Sequence, residues 1–375
     1  MQMRVSCCAC LAIVSAMLAT ASGADAPGPS AVPAQVYQQM VGKAIAYLRV
    51  KGQAPDGSYS RQSGIGVTAI VTTALLQHGL TPADPQVAKS LAYLQSYVQP
   101  DGSICEKGTL YPNYETSLAV LCFTEANKDG RYKQLIAKAD RALKEGQWDE
   151  SEGKDRSDPT YGGGGYGRNK RPDLSNTSFL IDALRAAGND ADSDAIKKAL
   201  VFISRCQNLE SEHNTTPFPA KNPDGGFYYT PAAGGSSMAG ETANGGLRSY
   251  GSMTYAGLKS MIYAGVGPND PRVQAAVAWA KKYYTVKENP GIGTAGLYYY
   301  YHLFAKALAA NGQDTFEDAQ GAKHNWRAEL VVELAKRQQE NGSWINENSR
   351  WLEGDPNLVT AYALLALNYC RPKTN

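Results

Sequence analysis

The stretch Leu334-Ala335-Lys336-Arg337-Gln338-Gln339-Glu340-Asn341-Gly342-Ser343-Trp344 reads as the end of a helix that runs into a glycine turn and then an aromatic residue. Glycine enters the left-handed region without steric penalty, so it ends a helix cleanly, and the ring that follows is placed to cover the helix end. The pattern recurs along the chain. Tyr47-Leu48 leads to Gln53-Ala54-Pro55-Asp56-Gly57-Ser58-Tyr59, and Tyr93-Leu94-Gln95 leads to Gln99-Pro100-Asp101-Gly102-Ser103-Ile104. Phe202 to Gln207 leads, after an insertion, to Asn222-Pro223-Asp224-Gly225-Gly226-Phe227, and Gly146-Gln147-Trp148 is a looser copy. Self-similarity of this kind marks a repeat architecture.

Two kinds of helix alternate between the turns. Segments 67–78, 114–125, 176–187, 252–264, 295–310 and 358–369 are small and apolar almost all round. Segments 34–50, 85–97, 132–144, 192–206, 271–284 and 324–339 are amphipathic and more charged. Helices apolar on every side belong inside and helices with a charged face belong outside. Six pairs then form an open solenoid or a closed double ring. The uneven spacing and long insertions favour closure, with loops collecting at the mouth. The expectation is an all-α (α/α)6 toroid spanning residues 34–372.

The chain has 375 residues, 43% hydrophobic and 19% charged, with a formal net charge of +2. That balance gives no electrostatic case for a nucleic-acid partner. Twenty-three Tyr stand against seven Phe. Tyr combines an apolar ring with a polar tip and suits a wet cavity better than a dry core. At the start, Met1 to Arg4 carry positive charge, Cys10 to Thr20 is a short apolar run, and Ala21-Ser22-Gly23-Ala24 supplies small residues. This is the layout of a secretory signal peptide over 1–24, followed by a Pro-rich linker over 25–33. Export to a periplasmic or extracellular compartment is expected, and no later stretch is apolar enough to span a bilayer. Cys105, Cys122, Cys206 and Cys370 remain after cleavage, far apart and with no Cys-x-x-Cys pair, which excludes a finger-type zinc site.

The repeats resemble the QW motifs of squalene and oxidosqualene cyclases, best at Gln339 to Trp344. Residues 355–367, Asp-Pro-Asn-Leu-Val-Thr-Ala-Tyr-Ala-Leu-Leu-Ala-Leu, resemble the helix that follows that motif. Protein prenyltransferase β subunits share the repeat. The resemblance extends from Val36 to Tyr369 and implies a toroid whose inner helices surround a central cavity.

The chemistry implied by the resemblance is missing. The cyclases protonate an alkene with the middle Asp of an Asp-x-Asp-Asp motif at the start of an inner helix. The matching place here reads Asp173-Leu174-Ser175-Asn176, with Ser175 at the donor position. A hydroxyl is far too weak an acid for that step, and Asp, Ser and Asn are all good helix N-caps. The prenyltransferase zinc site fails too, because Gly245 to Tyr255 holds no His or Cys. Neither a metal nor another cofactor is expected.

What remains are polar and aromatic residues preceding inner helices, which a closed ring gathers at one end. Asp173, Glu241 and His302 are the candidate acids or bases. Tyr166, Arg171, Ser175, Tyr250, Tyr255, Tyr298, Trp351 and Asp355 are the candidate cavity residues, with Arg168 near them. Four consecutive Tyr, 298–301, point around the whole helix, so one or two of them face a cavity. Three readings follow. The leading one is a terpene-cyclase relative that binds or transforms an isoprenoid or other apolar ligand, with a membrane surface as a compatible neighbour. The second is an exported carbohydrate-active enzyme, such as a lyase using Arg or Lys to neutralise a uronate. The third is a non-catalytic binding scaffold.

Overall fold

The computed structural model describes residues 34–167 and 170–372; the segments read as signal peptide and linker, and Arg168, lie outside the described residues. Among the described residues twelve long helices alternate between two layers. The inner layer is α2 (Gly66–Gln77), α4 (Pro112–Glu125), α6 (Leu174–Ala186), α9 (Gly251–Tyr263), α11 (Leu297–Ala310) and α13 (Pro356–Asn368). The outer layer is α1 (Ala34–Tyr47), α3 (Pro85–Gln95), α5 (Lys133–Glu145), α7 (Asp194–Arg205), α10 (Pro271–Lys282) and α12 (Trp326–Arg337). A single turn, α8 (Phe218–Lys221), sits in the longest insertion, and β1 (Phe316–Glu317) pairs antiparallel with β2 (Lys323–His324).

Inner helices pack in order, α2 on α4, α4 on α6, α6 on α9, α9 on α11 and α11 on α13; α13 then packs back on α2 and closes the ring. The layering follows the sequence pattern. Ten of the twelve residues of α2 are buried, whereas α5 buries only Ile136, Ala139 and Leu143, a single stripe at helical spacing. Closure is also tied by hydrogen bonds between the chain's two ends. The Tyr37 hydroxyl donates to the Leu367 carbonyl at 2.9 Å, and His78 Nε2 lies 2.8 Å from the Leu364 carbonyl oxygen.

The glycine turns are the joints between neighbouring pairs. Gly342 has φ +91°, and a side chain there would strike the carbonyl oxygen of Lys43 on α1. Gly57, also at φ +91°, meets Lys89 of α3 in the same way. Glycine is required twice over, for its backbone conformation and for the close approach. At four of these turns a glutamine ties the turn to the next outer helix; at the Gly102 turn Gln99 Nε2 donates instead to the nearby Tyr97 and Cys105 carbonyls. Gln338 Nε2 donates to the carbonyls of Gly342 and Met40, both at 2.9 Å. Gln207 Nε2 does the same to Gly225 (2.9 Å) and Arg272 (2.8 Å), and Gln147 Nε2 to Gly162 (2.8 Å) and Ala195 (3.0 Å). The clamp in the last repeat is therefore Gln338, while Gln339 accepts from Ser343 Oγ. The third turn also differs from the expectation. Its left-handed glycine is Gly162, and Gly146 has φ −90°.

A threonine in the inner helix completes the joint by accepting the backbone N–H at the aromatic position. Thr68 accepts from Tyr59, Thr116 from Ile104, Thr177 from Gly164, Thr254 from Phe227 and Thr360 from Trp344, at 2.9 to 3.1 Å. Trp344 is fully buried and its Nε1 donates to the Leu334 carbonyl at 2.8 Å, so the ring does cover the helix that precedes it. Cys105, Cys122, Cys206 and Cys370 are buried free thiols. No helix of the described residues is long and apolar enough to cross a membrane.

Candidate functional site

All six inner helices start at one pole of the ring, and a cavity of about 620 Å³ opens there. Seven tyrosines line it: Tyr111, Tyr114, Tyr166, Tyr229, Tyr250, Tyr299 and Tyr362. Phe179, Trp351, Val67, Met238, Met253, Leu352 and Leu358 add apolar surface, and Glu106, Glu115 and Glu353 add carboxyls. Among the described residues no Lys, Arg or His lines this cavity. Burial raises the phenols of Tyr114, Tyr299 and Tyr362 well above the ordinary range, so they act as neutral hydrogen-bonding groups.

The turn before α13 shapes one side of the mouth. Trp351 and Leu352 hold φ of 55° and 65°, a strained conformation for residues with a side chain. It lays the Trp351 ring against Gly296, where a Cβ would stand 3.0 Å from the ring, and Arg350 covers the ring at 4.4 Å. Glu353, next in the chain, is buried under this turn. It accepts from the Tyr299 N–H at 2.8 Å, the Tyr298 N–H at 3.2 Å and Asn346 Nδ2 at 2.6 Å. Burial nevertheless raises its pKa above the ordinary carboxyl value. Glu115 is equally buried, accepts from the Glu106 N–H at 3.0 Å, and is raised for the same reason.

The structure brings four of the expected residues into the wall: Tyr166, Ser175, Tyr250 and Trp351. Asp173 and Arg171 sit beside it. Asp173 caps α6, accepting from the Asn176 N–H at 2.9 Å and Asn176 Nδ2 at 2.7 Å; the cavity is lined by its partner Tyr229 rather than by the carboxyl itself. Burial pushes Asp173 up to about 6, against the pull of these hydrogen bonds. The Arg171 guanidinium is exposed and lies 5.9 Å over the Tyr229 ring. Ser175 Oγ is 2.7 Å from the Tyr299 hydroxyl, so the position matching the cyclase acid holds a hydrogen-bonded tie across the ring.

Five expectations are corrected. Glu241 is exposed on a loop whose Met238 reaches the cavity in its place. Asp355 is the N-cap of α13, accepting from Asn357 (2.9 Å) and Leu358 (3.4 Å), and is absent from the wall. Tyr255 and Tyr298 are buried and turned away from the cavity, Tyr255 against Tyr300 and Phe304, Tyr298 against Tyr301. Of the four consecutive tyrosines only Tyr299 reaches the mouth cavity. His302 lies deeper and lines a separate cavity of about 80 Å³ with Asp182, Lys306, Gln77 and Thr124. Burial and Lys306 push its imidazole down to about 3, so it is neutral, and its Nδ1 has no partner.

That second cavity adjoins a charge cluster that sequence reading missed. Asp182 of α6 receives Lys259 of α9 at 2.8 Å and Lys306 of α11 at 2.7 Å, all three buried. Burial alone would raise the Asp182 carboxyl, but the two ammonium groups outweigh it and hold it below the ordinary value. Sequence reading also missed Glu115, Tyr114, Tyr229 and Tyr362. A signal was available for Tyr114 and Glu115, which follow a Gly-containing loop at the start of an inner helix, as Asp173 does.

Residues 59–230 match the squalene-hopene cyclase C-terminal domain family. No curated protein sequence matches the chain. Among solved structures the chain is similar to the type II terpene cyclase MstE from Scytonema, at 14% identity and a TM-score of 0.51, over 90% of this chain and 98% of that one. A β-1,3-1,4-glucanase from Paenibacillus sp. X4 is similar at 11% identity and a TM-score of 0.54, over 92% and 95%. A polysaccharide lyase is similar at 10% identity and a TM-score of 0.52, over 90% and 97%. At these identities the structural likeness concerns the fold alone.

Proposed function

From the premise that this chain carries a squalene/terpene cyclase-like toroid, we propose that it binds an isoprenoid or similarly apolar ligand in the mouth cavity. The observation that carries the reading is the wall itself: seven tyrosines, Phe179, Trp351 and apolar side chains, with no cation among the described lining residues. Aromatic faces give apolar contact area and also stabilise positive charge on a ligand. Ser175 supplies no strong acid, and Asp173 does not line the cavity. The reading is therefore ligand binding, or rearrangement of a ligand that does not need alkene protonation by the Asp-x-Asp-Asp route.

A second reading, a neutral-glycan enzyme, is supported by Glu106, Glu115 and Glu353 at the mouth and by the glucanase likeness. The uronate form of that reading is disfavoured, because the described wall holds no Lys or Arg to neutralise a carboxylate. Titration of the purified protein with farnesol, geranylgeraniol and β-glucan oligosaccharides, followed by tryptophan fluorescence, separates the two. Trp351 is in the wall and serves as the probe. Saturable quenching by the prenyl alcohols, weakened about tenfold or more in Tyr250→Ala, is the expected result, since a buried aromatic contributes at least that much contact energy. Saturation by the glucan alone would overturn the isoprenoid reading.

A further inference from the structure

The inner helices end at the pole opposite the mouth, and the second cavity lies toward that end. Gln77 and Glu125, the last residues of α2 and α4, line it with Thr124; its other polar walls are Asp182, His302 and Lys306. Rings separate it from the mouth: Phe179 and Tyr362 line both cavities, and His302 stacks on Tyr362 at 6.0 Å. Its volume of about 80 Å³ equals about three waters at liquid density. Several polar groups there have no protein partner, although buried groups ordinarily find one. His302 is 5% exposed, and its Nδ1 is unpartnered. Thr124 Oγ1 and Gln77 Oε1 are buried and unpartnered as well. Gln77 Nε2 donates to Glu125 at 2.8 Å, so turning the amide over would set its oxygen against a carboxylate.

The charges are divided across the ring axis. In the closed order of the inner helices, α2 and α4 stand opposite α9 and α11. Glu125 and the Gln77 oxygen belong to the first side. On the second, Lys306 lines the cavity and pairs with Asp182 at 2.7 Å, and Lys259 pairs with the same carboxylate at 2.8 Å. One carboxylate therefore serves two buried ammonium groups, which leaves a positive charge in excess on that side. Among the described residues no ion pair joins either lysine to Glu125. We propose that this cavity is a second ligand site, for a small molecule carrying both a carboxylate and an ammonium group, an amino acid of about glycine's size. The carboxylate accepts from Lys306 and from His302 in its Nδ1–H tautomer. The ammonium donates to Gln77 Oε1 and Glu125, and Thr124 Oγ1 bonds beside them. A simple anion would leave the Gln77 oxygen and Glu125 without a donor, and a simple cation would add to the excess positive charge. The site is independent of the isoprenoid reading of the mouth.

Calorimetric titration of the full chain with glycine, β-alanine, acetate and methylammonium tests this, in wild type, Glu125→Gln and Lys306→Gln, with melting curves to verify folding. Wild type should bind glycine or β-alanine saturably, about tenfold or more tighter than acetate or methylammonium. Glu125→Gln should weaken the amino acid about tenfold and leave acetate unchanged, because only the ammonium loses a charged partner. Lys306→Gln should abolish amino-acid binding; should it fail to fold, Glu125→Gln, altered at a half-buried rim position, decides. Acetate or methylammonium binding as tightly as the amino acids overturns the two-charge assignment. Amino-acid binding that Glu125→Gln leaves unchanged places the ligand elsewhere and overturns the site. No saturable binding by any of the four means that water alone fills the cavity, and overturns the proposal.

Discussion

Asp173 shows how one residue serves two readings. Its match to the cyclase acid motif made it a candidate acid, and its place before α6 made it a helix cap; the geometry realises the cap. Its pKa of about 6 lies above the ordinary carboxyl value of 3.8, so the folded state prefers the protonated form. The stability this contributes is fully present below the ordinary value and is lost as pH rises through about 6. Asn caps a helix as well as Asp does, so Asp173→Asn should keep the helix and remove the titration. Melting temperature against pH should then fall between pH ~4 and ~7 more steeply in wild type than in the variant. The variant should gain on the order of 1–3 kcal/mol relative to wild type at the alkaline end. Parallel curves for the two proteins would show that Asp173 does not titrate in this range. Ser175 is a similar case, legible as a lost acid but not as a bond to Tyr299, because that partner lies 124 residues away.

At the scale of elements, the turn and the two helices it joins act as one unit. Glycine supplies the left-handed backbone, glutamine bridges to the next outer helix, and threonine receives the aromatic residue's N–H. Gly342 and Gly312 separate two effects. Both have positive φ, at 91° and 75°, but only Gly342 abuts another helix; nothing lies within 4 Å of a Cβ built at Gly312. Gly312→Ala should cost about 1 kcal/mol for its backbone, and Gly342→Ala about 3 kcal/mol or more, because the Lys43 carbonyl must also move. Urea denaturation measures both, and equal losses would refute the close-approach argument. The glycine and aromatic positions were legible because their constraint is local. The glutamine partners were not, because those bonds reach the next outer helix, whose register appears only after folding; nor were the five threonines, whose bonds tie a turn to the inner helix 9 to 27 residues further on once that helix has docked.

The whole molecule depends on closure, and its most demanding feature is inside the ring. Lys259 of α9 and Lys306 of α11 converge on Asp182 of α6, and all three are buried. A buried ion pair adds little by itself, but removing one partner strands the others. Asp182→Ala should lose about 3–5 kcal/mol in chemical denaturation, and replacing all three residues with apolar ones should recover most of it. A neutral result for Asp182→Ala would mean that water or a ligand compensates the two lysines. The alternation of apolar and amphipathic helices, and the turns between them, are properties of short windows, so the amino-acid sequence by itself determined the toroid and the pole at which its loops gather. Only the tertiary structure decided which side chains reach the cavity. Each residue along an inner helix turns about 100° and descends about 1.5 Å, so neighbours in sequence separate into different surroundings. Tyr299 faces the mouth, Tyr298 is turned away from it, and His302, three residues on from Tyr299, lines the second cavity. That azimuth is set by how each helix packs against its neighbours around the closed ring, and helical periodicity alone carries no reference direction for it.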